Sequence, residues 1–356
     1  MKKLTILFSV VMVVIIIIIS CNKNEDDPVP TERKKYAWVS GNADSIGGYG
    51  MILFSADSGE TWVRQGEGSA ALQDINVGDI WAVDENNVWA TASTNAILRT
   101  NDGGQTWTRI TFPEISVNTG FLAISIVNKT NIWISGGYGI VLNSIDDGNT
   151  WTMYDTNFFH RGLMQGIWAI SPEKIYVVGG TGGSPERGFI GYTQDGGATW
   201  DSVFPANDYN RHEWIGVTAS ENTIVIYGGE SHYMASTDGG TTWKNDSVPG
   251  AGGGGHPADI NHLIMLNSQT WWGAMDMGHI CFTTDGGSTW TIQETDEGGS
   301  FLVGIDAWDS QLALVVGTLA GYPPYGPILK TSNGGTLWQK KNEYNTYLHK
   351  VSFIKQ

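Results

Sequence analysis

The chain has 356 residues, 41% of them hydrophobic and 16% charged, with a formal charge of −16 at pH 7. So acidic a surface argues against nucleic acid as a partner and against electrostatic adhesion to anionic lipid. Length is sufficient for a domain of about 320 residues to hold itself together by packing alone, and sixteen tryptophans supply large apolar surfaces for it.

In chain order, Lys2 and Lys3 precede a mostly apolar run, Leu4 to Ile19, that ends at Ser20-Cys21. A basic start, a short apolar core and a small residue before the cut predict a signal peptide over residues 1–20. The rival reading, an uncut spanning helix, is short for about 30 Å of hydrocarbon. The placement of Cys21 resembles a bacterial lipobox, which implies cleavage before Cys21 and acylation of it. Cys281 would then have no intrachain partner, and loss of Lys2 and Lys3 takes the charge from −16 to −18. Residues 21–35 are polar, charged and proline-bearing, which predicts a flexible tether. Their start, Asn22 to Asp27, resembles the charged signals of some surface lipoproteins. The expected location is the cell envelope, periplasmic or outer surface, with a lipid-anchored monomer.

From residue 36 onward the chain repeats itself. Thr100-Asn101-Asp102-Gly103-Gly104-Gln105-Thr106-Trp107 has counterparts at 55–62, 144–151, 193–200, 236–243, 283–290 and 331–338, seven copies in all. The closing tryptophans (62, 107, 151, 200, 243, 290, 338) lie 45, 44, 49, 43, 47 and 48 residues apart. A period in the forties with one turn signature per copy predicts four-stranded propeller blades. Within each copy the aspartate (Asp57, Asp102, Asp146, Asp195, Asp238, Asp285, with Asn333 in the seventh) can accept nearby backbone N–H groups. The glycines allow φ > 0, and the tryptophan anchors the turn in the blade. The pattern S/T-x-D-x-G-x-T-W is similar to the Asp-box, or BNR repeat, of sialidase-like propellers. That resemblance implies a structural role for the boxes and a functional face elsewhere.

Blade two shows the grammar: strand A over 79–83, turn 84–87, strand B over 88–91, strand C over 96–99, the box, then strand D over 107–110. A second column repeats in strand B, a large residue three before a small one: Trp38/Gly41, Trp89/Ala92, Trp133/Gly136, Tyr176/Gly179, Val225/Gly228, Trp271/Ala274 and Leu314/Gly317. The domain, residues 36–356, opens on a strand B at Tyr36 and ends on a strand A pattern, Leu348 to Phe353. The tail should therefore supply the innermost strand of blade one and close an all-β, seven-bladed ring without an open edge.

Strand parity puts the A–B turns and the boxes on one face, and the B–C and D–A connections on the other. Those connections include 41–50, 154–165, 179–188, 203–213, 247–261, 273–279 and 317–326, and such loops usually carry binding. The binding residues expected on this loop face are His160, Arg161, Arg187, Asp208, Tyr209, Arg211, His212, Glu230, His232, His256, Asp276 and His279. A metal site of His256, Asp259 and His262 with His279 matches no known ligand spacing, so neither a metal nor a cofactor is expected. Arg161, Arg187 and Arg211 offer a sialidase-like carboxylate clamp, but they crowd one blade and the early Arg-Ile-Pro segment of sialidases is missing. A xyloglucanase-like glycosidase would use two large propellers, and this chain has room for one. No catalytic residues are therefore assigned. A single seven-bladed Asp-box propeller is similar to the Ycf48-like photosystem assembly factors, which implies a binding or assembly scaffold for a protein or glycan. Glycoside hydrolysis is the alternative.

Overall fold

The computed structural model describes residues 34–354, except 45–46, 116–119, 155–157, 160, 181–187, 204–213, 254–255 and 320–323. The expected signal peptide, Cys21 and most of the tether lie outside the described residues. Seven four-stranded antiparallel sheets form the blades. Their strands A are Leu348–Phe353 in blade one, then Val77–Ala82, Phe121–Asn128, Leu163–Ala169, Trp214–Ser220, Ile260–Met265 and Phe301–Ala307. The tail closes the ring: Leu348–Phe353 pairs antiparallel with Ala37–Gly41, setting Ala37 opposite Phe353 and Val39 opposite Val351.

The repeats make this architecture by burying one large side chain after another between blades. Trp151 meets Trp89 of the preceding blade, Trp200 meets Trp133, Trp243 meets Tyr176 and Trp338 meets Trp272, at centroid distances of 6.5, 6.1, 6.1 and 5.9 Å. Box and strand-B columns are thus two halves of one contact, although in blade six the register puts Trp272, not Trp271, in the column; seven apolar clusters fill the spaces between blades. The fifth box position must be glycine twice over. Gly148 has φ 77°, and a Cβ there would stand 2.4 Å from the Trp89 ring.

Each box is tied by a fixed set of bonds. The Thr100 hydroxyl donates to Asp102 Oδ1 (2.8 Å) and accepts the Gly104 N–H (2.8 Å). Asp102 in turn accepts the Thr106 N–H (2.9 Å) and hydroxyl (2.6 Å). In the seventh box Asn333 Oδ1 accepts the Leu337 N–H at 3.0 Å, but Leu337 has no hydroxyl for the second bond.

The two faces are assigned by bonds between turns. Gly103 N–H donates to Asn86, Gly196 to Glu173, Gly239 to Asn222, Gly286 to Gln269 and Gly334 to Gln311, so in these five blades the box sits on its own A–B turn. On the opposite face the B–C turns bond the D–A connections, as Gly139 N–H to Gly162 O (2.7 Å) and Gly278 N–H to Ser300 O (2.8 Å). Two of the connections are tighter than the sequence suggested. Strand B of blade six continues to Met275, leaving only the turn Asp276–Gly278 in the span 273–279. Within 247–261 a small ladder pairs Gly252–Gly253 with His256–Pro257.

Candidate functional site

The loop face is built on strained turns. In blades three, five and six the B–C connection is a single 3-10 turn whose central residue is left-handed without being glycine: Tyr138 (φ 60°), Glu230 (φ 57°) and Met277 (φ 62°). That conformation disfavours residues with a Cβ, and where it persists the surroundings enforce it. Here neighbouring connections do so. Glu230 N–H donates to Asp259 Oδ1 (2.7 Å), Ser231 Oγ to Ala258 O (2.7 Å) and Asn261 Nδ2 to Asp276 Oδ1 (2.7 Å). The tips are presented outward. Tyr138, Leu163, Met277, Phe301 and Leu319, all at this face, are among the exposed large hydrophobics.

Of the residues expected to bind, Glu230 and Asp276 come together with Asp259 and Asn261 at the corner of blades five and six. Burial holds the Asp276 carboxyl above its usual range, against the Asn261 hydrogen bond that lowers it. His232 and His279 occupy equivalent places at the start of strand C in blades five and six, half-buried. Arg161 lies in the adjoining sector, its guanidinium 5.7 Å from the Tyr138 ring. His160, Arg187, Asp208, Tyr209, Arg211 and His212 lie outside the described residues, as does the His256 side chain. The metal grouping considered from sequence is divided: Asp259 holds the Glu230 amide, whereas His262 faces the axis and accepts the Ile305 N–H at Nδ1 (3.1 Å).

Sequence reasoning missed the concave site. A cavity of about 610 Å³ runs along the propeller axis, lined by strand A of every blade and, in blades six and seven, by the A–B turns as well. Trp81 of blade two and Trp168 of blade four meet across it with centroids 5.6 Å apart, and Trp308 joins the lining. The signal available in the sequence was positional: Trp81 and Trp168 fall on the innermost strands, where the other blades place smaller residues.

Fold and boxes together define the class: a seven-bladed Asp-box β-propeller, similar to the Ycf48-like group. Residues 69–206 match the family model of photosynthesis system II assembly factor YCF48. The structure is similar to YCF48 bound to D1 peptide, at 18% identity and a TM-score of 0.58, covering 85% of this chain and 86% of that one. It is also similar to YCF48 from Cyanidioschyzon merolae, at 18% identity and a TM-score of 0.57, covering 74% and 84%. The GH74 xyloglucanase from Xanthomonas campestris aligns at 13% identity with a TM-score of 0.62, over 91% of this chain and 53% of the enzyme. No curated protein matches the sequence. At these identities the structural likeness establishes the fold.

Proposed function

We propose that this chain is an envelope-tethered binding or assembly scaffold that holds a segment of a partner protein on its loop face. The observation that carries the reading is the pair of exposed apolar turn tips Tyr138 and Met277, with Leu163, Phe301 and Leu319 exposed on the same face; the boxes also expose Ile145 and Leu337. Apolar side chains kept in water on over-determined turns favour a surface that is covered by a partner. The family match over residues 69–206 and the peptide-bound YCF48 neighbour support the same direction.

The test uses four variants: Tyr138→Ala with Met277→Ala, Arg187→Ala with Arg211→Ala, His256→Ala with His279→Ala, and a box-face control, Glu85→Ala with Glu173→Ala. Partners are recovered from the envelope fraction by wild-type protein, identified, purified and titrated. The apolar pair should weaken binding by about tenfold or more at an unchanged melting temperature, and the control should change neither. Retained affinity in all three loop variants would place the partner elsewhere. A second reading, glycoside hydrolysis, draws on the raised carboxyl of Asp276 beside Asp259. Hydrolysis of xyloglucan or a sialoside by wild type, abolished in Asp276→Asn, would replace the scaffold with an enzyme.

A further inference from the structure

The loop face is graded in charge, and the gradient narrows the kind of partner it fits; this step rests on the scaffold reading. Three B–C turns of one design differ at their tips. Those of blades three and six carry Tyr138 and Met277, whereas that of blade five carries Glu230, all three exposed. In blades five to seven the turns and entry connections join into one continuous band. Glu230 N–H donates to Asp259 Oδ1 (2.7 Å), and Asp276 N–H to Asp259 O (3.3 Å). Asn261 Nδ2 donates both to Asp276 Oδ1 (2.7 Å) and to Leu302 O (3.0 Å). Gly278 N–H, just past the Met277 tip, donates to Ser300 O (2.8 Å), the residue before Phe301. Phe301 pairs with Thr318, and Leu319 follows. The band therefore runs from Asp259 and Asp276 at one end to the exposed Met277, Phe301 and Leu319 at the other.

The acidic end favours a cation. Asp259 and Asp276 flank the paired residues Ile260 and Met275 of strands A and B in blade six, so the two carboxylates stand side by side. Burial first, and then the Asp259 charge, raise the Asp276 carboxyl, against the Asn261 hydrogen bond; a positive group beside the pair would relieve it. Asp296, exposed on the connection into blade seven, adds negative charge to the same sector. Lys340, on strand D of blade seven, is engaged by Glu297 (3.3 Å), Glu343 (3.0 Å) and the Tyr325 hydroxyl (2.7 Å). Covering the band with a neutral or acidic segment would desolvate adjacent carboxylates without compensation. A second copy of this chain, at −16, would be repelled. A metal ion alone would leave the apolar end uncovered. Asp276 and Met277 are neighbours in the chain, and an extended segment advances about 3.3 Å per residue, so the complementary groups must also be close in sequence. We propose that this band holds an extended partner segment in which an arginine or lysine lies within a few residues of large apolar side chains. The cation sits against Asp259 and Asp276, and the apolar groups against Met277, Phe301 and Leu319.

Random dodecapeptides displayed on phage are selected on the purified full-length protein, and enriched peptides are synthesised and titrated by fluorescence anisotropy. Enriched sequences should place arginine or lysine near aromatic or aliphatic residues. Replacing that basic residue by norleucine should weaken binding by about tenfold or more, and so should Met277→Ala. Asp259→Asn with Asp276→Asn keeps an oxygen acceptor at both positions and should give the same loss at an unchanged melting temperature. On wild type, affinity should fall as sodium chloride rises from about 50 to about 500 mM, and the double asparagine variant should lose that dependence. Enriched peptides without basic residues that are nevertheless lost in Met277→Ala would overturn the charge assignment and leave the scaffold reading standing. Peptides indifferent to every loop-face variant would overturn both. Should nothing enrich, the envelope partner crosslinked at Met277 decides: a contacted segment without lysine or arginine overturns the proposal. Calcium binding abolished by the asparagine pair, with no peptide bound there, would assign the carboxylates to a metal and overturn it equally.

Discussion

The box aspartates carry the clearest residue-scale consequence. The threonine hydroxyl four residues on is the main cause that holds the carboxyls of Asp102, Asp195 and Asp238 down at about 2. The same contact lowers Asp146 and Asp285. Lowered in the fold and ordinary in the unfolded chain, these groups stabilise the fold above the ordinary carboxyl range, near 3.8. That contribution fades as pH falls toward 2. His349 acts in a higher window. Burial brings its imidazole from 6.5 down to about 4, and Nε2 lies 2.6 Å from Asn42 Oδ1. The neutral ring contributes its stability above pH 6.5 and loses it toward pH 4. Urea midpoints measured against pH should fall through that window in wild type and flatten there in His349→Gln. Trp107→Ala should cost about 3–5 kcal/mol, as for an aromatic lost from a packed site, and Asp102→Ala less. Ser58, left-handed at φ 63° where most boxes have glycine, should gain about 1 kcal/mol on mutation to glycine. Equal midpoints for Ser58→Gly and wild type would show that this turn is not strained.

At the scale of elements, the strands were legible because each blade repeats two independent columns, the box tryptophan and the strand-B aromatic. The strand A proposed for the tail, Leu348 to Phe353, is the strand observed. Less legible were features fixed across blades rather than along the chain. Strand A shifts register against strand B in all seven blades, near its loop-face end, a bend that periodicity cannot register. Tyr138, Glu230 and Met277 gave no sign of left-handed turns, because the bonds enforcing them come from the next blade's entry loop. Trp81 and Trp168 read as ordinary strand residues until the ring brought them together. The seventh box is the weak element. Asn333→Asp with Leu337→Thr should rebuild the missing hydroxyl bond and stabilise the protein by more than the sum of the two single changes. Strict additivity of thermal shifts would contradict that coupling.

For the whole molecule, closure depends on a strand supplied by the far end of the chain, and the ring leaves no inner edge unpaired at blade one. Deletion from Asn345 onward should open it, lowering the midpoint and broadening the transition; an unchanged cooperative midpoint would refute closure by the tail. A closed ring also fixes which residues point away from one another, so that the loop tips and the box turns report on opposite faces. The scaffold reading is tested most directly by photo-crosslinking in the native envelope, with a photoreactive residue placed in turn at Tyr138, Met277, Glu85 and Glu173. A discrete protein adduct is expected from Tyr138 and Met277 and none from Glu85 or Glu173. Adducts from the box face alone, or none from either loop tip, would contradict it.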